Sequence, residues 1–132
     1  MQSRAEKTRR IARVQQQMQR AEEWKLGDLQ RRRSRVEADE REVLAALGEE
    51  NALHGLFLDT MARRLHALAQ EAARLRDEEK AQIRRLLAAT GKLKVAERLA
   101  ATAAEEARRE EDKKQLADII DQTVTRKDAS LR

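Results

Sequence analysis

The chain has 132 residues, a formal net charge of +5 and a charged-residue content of 40%. Cysteine, proline and tyrosine are absent, and Trp24 and Phe57 are the only aromatic residues. Disulfides, thiolate metal sites and a core built on aromatic packing are therefore excluded. No run of 18 apolar residues is present to span a membrane, and the first residues lack the apolar region of a secretory signal. We expect a cytoplasmic protein.

The first predicted element is a helix over about residues 3–47. Ala, Glu, Lys, Leu and Arg dominate the chain, a composition typical of coiled coils. The apolar residues recur at helical spacing, which favours a folded helix over a disordered charged chain. An eleven-residue gap between Met18 and Leu29 predicts a stutter in the supercoil. The apolar stripe assigned to this helix consists of Ile11, Val14, Met18, Leu29, Val36, Val43 and Leu47.

A turn is predicted at about residues 48–55, where Gly48, Asn51 and Gly55 interrupt a strongly helix-forming sequence. A second helix is predicted over about residues 56–126, because apolar residues alternate there at spacings of three and four. Its stripe consists of Phe57, Leu58, Met61, Leu65, Leu68, Ala72, Leu75, Ile83, Leu86 and Leu93.

Folding the chain at this turn predicts an all-α fold, with residues 1–132 forming a single long antiparallel two-helix coiled-coil hairpin. In the register that best matches apolar with apolar positions, Val36 lies opposite Leu68. The same register sets Arg33 opposite Glu71, and shifts of one heptad bring like charges together. Opposite charges beside a seam help to define the register of a coiled coil.

No constellation of residues indicates catalysis. His54 lies in the predicted turn and His66 on the second helix, and neither belongs to a metal-binding or nucleophile-activating pattern. The glycines are too scattered to form a phosphate-binding loop, and the acidic pairs are typical of solvated helix faces. We predict a non-enzymatic protein with neither a metal nor a cofactor.

Residues 4–22 and 82–100 are both rich in basic side chains, and the predicted hairpin brings them together at its open end. Two like-charged segments repel each other, so this end is predicted either to fray or to dock an acidic partner. The candidate residues of this basic open end are Arg9, Arg10, Arg13, Arg84, Arg85, Lys92 and Lys94.

Residues 104–132 overhang the predicted hairpin and form a tail. Its apolar residues stand at helical spacing without a partner in the hairpin. Such a stripe indicates a protein-binding surface, self-association, or folding back onto the second helix. The tail stripe consists of Leu116, Ile119, Ile120 and Val124.

A third apolar cluster lies at the predicted tip of the hairpin. Leu56, Phe57 and Leu58 crowd the start of the second helix beyond what its seam requires. They either cap the hairpin or contact a partner protein.

The chain resembles the FliJ family of flagellar export proteins and its YscO-type relatives in virulence secretion. The resemblance covers nearly the whole length and rests on size, the helical hairpin, the composition, and the segment SRAEKTRRIARVQQQMQRAEEW. It implies a coiled-coil stalk that binds a hexameric export ATPase, contacts the export gate protein and export chaperones, and assists substrate delivery. The expected location is the cytoplasm, in peripheral association with a complex at the inner membrane.

The resemblance also implies roles for the candidate surfaces. The basic open end and the tail would meet the ATPase ring, and the tip near Phe57 would meet the export gate. The chain departs from a symmetric hairpin because its turn lies before the midpoint.

Two other functions remain open on the sequence. One is a structural coiled coil that self-associates through its tail. The other is a basic helical nucleic-acid-binding protein, marked by the run Arg31–Arg35. Interleaved acidic residues argue against nucleic acid, and Trp24 is the only aromatic residue in a basic segment that could stack on a base.

Overall fold

The computed structural model describes residues 2–49 and 54–130, which form two helices, α1 (Arg4–Leu47) and α2 (His54–Ser130). Ser3 starts α1 as an N-cap, because its Oγ atom accepts a hydrogen bond of 3.2 Å from the backbone amide of Glu6. A side chain of this kind satisfies one of the backbone donors left free at a helix start.

Helix α1 ends where Gly48 follows Leu47, as the sequence predicts. The Gly48 amide donates to the carbonyls of Leu44 and Ala45, at 3.2 and 3.1 Å, which closes the last turn. The centre of the predicted turn, including Asn51, lies outside the described residues. Helix α2 begins at His54 and continues to Ser130, so it is longer at both ends than predicted.

The prediction of an all-α fold is confirmed: the two long helices pack against each other as an antiparallel hairpin, and the described residues contain no strand. Contacts divide the chain into two units. The first unit is Met1–Gln16 with Gly91–Arg132, and the second is Gln17–Thr90.

The second unit is held by a heptad seam on each helix. Among its buried and half-buried residues, one set on each helix recurs at spacings of three and four without interruption, which is the pattern of a coiled-coil interface. On α1 the seam positions are Gln19, Glu22, Leu26, Leu29, Arg33, Val36, Glu40, Val43 and Leu47. On α2 they are Met61, Leu65, Leu68, Ala72, Leu75, Glu79, Gln82, Leu86 and Ala89.

This seam corrects part of the predicted interface. Met18 and Ile83 are exposed, and the positions they were predicted to occupy are taken by Gln19 and Gln82, with Glu22 as a further polar seam position. The predicted stutter is also wrong, because Gln19, Glu22 and Leu26 continue the heptad as far as Leu29. The prediction counted only apolar residues and therefore missed a seam that is partly polar.

Contacts between the helices also correct the predicted register. The Nε atom of Arg33 donates to Oε2 of Glu79 at 2.5 Å, where Glu71 was expected. Placing each seam position of one helix opposite a seam position of the other sets Val36 against Ala72 instead of Leu68. The difference is about one helical turn.

The first unit continues the same heptads, but mostly with small side chains. Its seam positions are Ala5, Thr8, Ala12 and Gln15 on α1, and Leu93, Ala96, Ala100 and Ala103 on α2. Ile11 and Val14, which were predicted to belong to the seam, are exposed. Alanine removes little apolar surface from water, so this seam contributes less stabilisation per layer than one built from leucine.

Candidate protein-binding surfaces

The tail is a regular helix, and no other part of the described chain covers its surface. Every residue from Glu106 to Ser130 is exposed. All four residues of the predicted tail stripe belong to this part of α2, and each retains about half or more of its accessible surface. Since the positions fall within about one face of an α-helix, the tail presents a narrow apolar stripe.

Short-range ion pairs support the helix where the tail leaves the seam. Arg108 contacts Glu105 at 2.7 Å and Asp112 at 3.2 Å, and Lys113 contacts Glu110 at 3.6 Å. The hydrogen bonds from Arg108 lower the pKa of Glu105 below its ordinary value. Pairs at these spacings stabilise an isolated helix modestly, so they support the start of the tail, before the tail stripe.

The basic open end is only partly assembled by the structure. Arg9, Arg10, Arg13, Lys92 and Lys94 are exposed and belong to the first unit. Arg10 Nη1 donates to Gln2 Oε1 at 2.9 Å, which leaves the charge of Arg10 and its other guanidinium donors available to an acidic partner.

The other two residues predicted for the basic open end, Arg84 and Arg85, belong to the second unit. Arg85 Nη1 donates to Gln82 Oε1 at 3.4 Å, next to the seam. These two arginines therefore belong beside the seam of the second unit, and the structure does not group them with the basic side chains of the first unit.

The predicted tip residues are exposed at the start of α2. Leu56, Phe57 and Leu58 keep 75%, 55% and 47% of their accessible surface. An apolar cluster of this exposure does not contribute a core to the described part of the hairpin. It stays available as a contact surface.

A further apolar surface was missed by the sequence analysis. We define the apolar flank as Ile11 and Val14 of α1 together with Val95 and Leu99 of α2, all exposed and all in the first unit. Ile11 and Val14 were assigned to the seam because they are the large apolar residues of their segment. The uninterrupted heptad through Ala5 and Ala12 was the signal that could have revealed the flank.

Charged side chains cluster at the seam of the second unit. Glu37 Oε1 lies 2.9 Å from Arg76 Nη2 and 3.2 Å from Arg33 Nη1, and Arg33 also pairs with the buried Glu79. Hydrogen bonds from Arg76 and Arg33 lower the pKa of Glu37. These contacts link α1 to α2 and indicate a structural role for Arg33, one residue of the basic run.

A second polar link joins Gln82 to Glu22. Gln82 Nε2 donates to the Glu22 carbonyl oxygen at 3.1 Å and also to the Glu22 carboxylate. The latter hydrogen bond lowers the pKa of Glu22. A buried glutamine that is satisfied in this way helps to specify the pairing of the two helices.

Within residues 2–49 and 54–130, no group of three or more His, Asp or Glu side chains is arranged to hold a metal ion. In the same part of the chain, neither helix has a stretch long and apolar enough to cross a membrane. The chain matches no protein-family model, no curated protein and no solved structure.

Proposed function

We propose that this protein is a non-enzymatic coiled-coil component of a flagellar or type III protein export apparatus. In this role its tail binds a hexameric export ATPase as a stalk, and the hairpin assists the delivery of substrates or chaperones. The observation that carries the proposal is the tail itself, a long helical extension with an exposed apolar stripe. A helix with one apolar stripe is suited to insertion into an apolar groove of another protein.

The other candidate surfaces are given roles by the family resemblance. The basic open end contacts acidic positions of the ATPase ring, and Leu56, Phe57 and Leu58 contact the export gate protein. The protein works in the cytoplasm at the cytoplasmic face of the inner membrane, without a metal or a cofactor.

The test is a pulldown of the export ATPase encoded in the same genome, with the full chain as bait. The variant Ile119→Asp with Ile120→Asp places two charges in the tail stripe and should abolish capture. The matched control is Thr125→Asp with Ala129→Asp, which adds two charges on the face of the same helix opposite the tail stripe. Equal capture by both double variants would show that the tail stripe does not bind the ATPase.

A self-associating structural coiled coil is the second candidate, favoured by the same exposed tail stripe. Sedimentation of the purified chain separates the two proposals. A dimer that dissociates in the Ile119→Asp, Ile120→Asp variant, without capture of any ATPase by the wild type, would favour self-association. Steeply salt-dependent binding to DNA would instead favour the nucleic-acid alternative.

A further inference from the structure

In the first unit, small aliphatic residues are buried in the seam and larger aliphatic residues are exposed, which is the reverse of the usual arrangement. The seam is built mostly from alanines such as Ala96 and Ala103, which are 5% and 3% exposed. The larger residues of the apolar flank are outside the seam: Ile11 is 53% exposed, Val14 53%, Val95 56% and Leu99 49%. A contiguous exposed apolar surface indicates an interaction site.

The two halves of the flank lie side by side. Arg4 Nη1 is 3.3 Å from Glu106 Oε2, which fixes these positions next to each other on one side of the seam. Ile11 follows Arg4 by one heptad and Leu99 precedes Glu106 by one heptad. Because the helices are antiparallel, these heptad steps run in the same direction in space and bring Ile11 close to Leu99.

Val14 and Val95 extend the surface along the hairpin. Val14 follows Ile11 by three residues, and Val95 precedes Leu99 by four, so each is the next neighbour on the same helix face. A groove of about 430 Å³ borders the flank on α1. It is lined by Gln2, Lys7, Arg10, Ile11, Val14 and Gln15.

The border of the flank is basic. Residues 2–16 and 91–104 contain eight Lys or Arg residues and two Glu residues. Lys7 and Arg10 line the groove beside the flank, and Lys92 stands one heptad before Leu99. Docking of two such flanks from two copies would bring like charges together, so the charge disfavours a second copy and favours an acidic occupant.

We propose that the apolar flank binds an amphipathic, acidic α-helix of a partner protein, which lies along α1 and α2 as a third helix. Apolar side chains of that helix would cover Ile11, Val14, Val95 and Leu99, and its carboxylates would face Lys7, Arg10 and Lys92. The inference does not require that the tail binds an ATPase, because it uses neither the tail stripe nor the tip.

The experiment uses the full chain and a fluorescent peptide probe. The probe has three repeats of the heptad Leu-Ala-Glu-Leu-Glu-Glu-Ala, which form an amphipathic helix with acidic flanks. A second peptide carries Lys in place of each Glu. In fluorescence anisotropy the acidic peptide should bind the wild-type chain, with an affinity that falls as salt is added, and the basic peptide should not bind.

The flank is tested with the variant Val14→Asp with Leu99→Asp and with the uncharged variant Val95→Gln with Leu99→Gln. Each should weaken binding of the acidic peptide at least about tenfold, because apolar contact area is lost. Since all these positions are exposed, the helical circular dichroism should remain unchanged. The control Leu87→Asp alters a residue that is 66% exposed in the second unit and should bind like the wild type.

Failure of the acidic peptide to bind, or equal binding by the wild type and both flank variants, would overturn the proposal. Anionic phosphatidylglycerol vesicles form a parallel arm. Binding to vesicles, but not to the acidic peptide, would overturn it in favour of a membrane surface. A wild-type dimer that dissociates in the flank variants and excludes the peptide would overturn it in favour of a second copy.

Discussion

Glu40 is a polar residue in the seam of the second unit, at a position where a coiled coil favours an apolar side chain. Its Oε1 atom is buried and has no hydrogen-bond partner among the described residues. An unsatisfied buried polar atom costs about 1–3 kcal/mol. Leu at this position would remove that cost and add apolar contact with the facing helix.

We therefore expect Glu40→Leu to increase the free energy of unfolding by about 1–3 kcal/mol. Urea denaturation followed by circular dichroism at 222 nm measures the change. The control Glu42→Leu alters an exposed residue of the same helix and should change the stability by no more than about 0.5 kcal/mol. A destabilised Glu40→Leu variant would show that Glu40 contributes a favourable interaction.

Glu37 makes the stability of the hairpin depend on pH. Hydrogen bonds from Arg76 and Arg33 hold its pKa below the ordinary value in the folded state. The folded state therefore binds fewer protons at this site than the unfolded chain. The contribution of Glu37 is present above the unfolded pKa of about 4.3 and is lost as the pH falls through the folded pKa.

We expect Glu37→Gln to lower the melting temperature at pH 7 and to have little effect at a pH below the folded pKa of Glu37. Thermal melts across this pH range measure the difference between variant and wild type. Arg76→Met removes the main donor and should produce a similar flattening of the pH dependence. A difference that stays constant down to the lowest pH would exclude the carboxylate as its source.

At the scale of the helices, the sequence predicted the elements and their direction well but not their interface. Helix bounds follow from long runs of helix-forming residues that end at Gly48, and these are local properties. The register depends on which positions form the seam. Counting apolar residues placed Ile11 and Ile83 in the seam, whereas the structure uses Ala12 and Gln82. Only tertiary contacts such as Arg33 with Glu79 distinguish these alternatives.

The register can be tested by disulfide cross-linking, since the chain has no native cysteine. The pair Val36→Cys with Ala72→Cys should oxidise rapidly, because the structural register places these positions opposite each other. The pair Val36→Cys with Leu68→Cys follows the register predicted from the sequence. It should oxidise slowly, because a disulfide requires Cα atoms within about 7 Å.

The two cysteine pairs share Val36→Cys, so thiol reactivity at that site is matched. Oxidation is followed by the mobility of the denatured chain on a gel. Faster closure of the Val36→Cys, Leu68→Cys pair would contradict the register of the structure.

The seam should carry most of the stability of the second unit. Leu75 is 1% exposed and Leu87 is 66% exposed on the same helix. Leu75→Asp removes buried apolar contacts and places a carboxylate in the seam, which costs about 3–5 kcal/mol. We expect it to unfold most of the hairpin, and we expect Leu87→Asp to leave the helical circular dichroism intact. Similar melting temperatures for the two variants would show that this seam is not the main source of stability.

At the scale of the whole molecule, the sequence identified the tail but not the apolar flank. Leu116 and Ile120 were recognisable because the residues around them have no apolar counterpart with which to pair. Ile11 and Leu99 do have apparent counterparts, so their exposure became visible only when alanines were found in the seam. A surface is hardest to predict where it uses the residue types that usually form a core.

The chain should therefore differ in stability along α2. Within the seam, at residues 65–86, opening of the helix requires loss of tertiary contacts. Beyond Glu106 the helix is exposed and held by local hydrogen bonds and ion pairs. Most of the stability of a protein helix comes from tertiary packing, and weakly supported segments open with low free energy. We expect peptides from residues 112–130 to exchange amide hydrogens much faster than peptides from residues 65–86.

Hydrogen exchange followed by mass spectrometry measures this difference in exchange rate. The control is to repeat the measurement at several protein concentrations. Fast exchange of residues 112–130 at all protein concentrations means that the tail stripe is uncovered in the free chain. Protection that rises with concentration, and that disappears in the Ile119→Asp, Ile120→Asp variant, means that a second copy covers it. Protection at every concentration would contradict the exposed tail, because the stripe would then have to pack within its own chain.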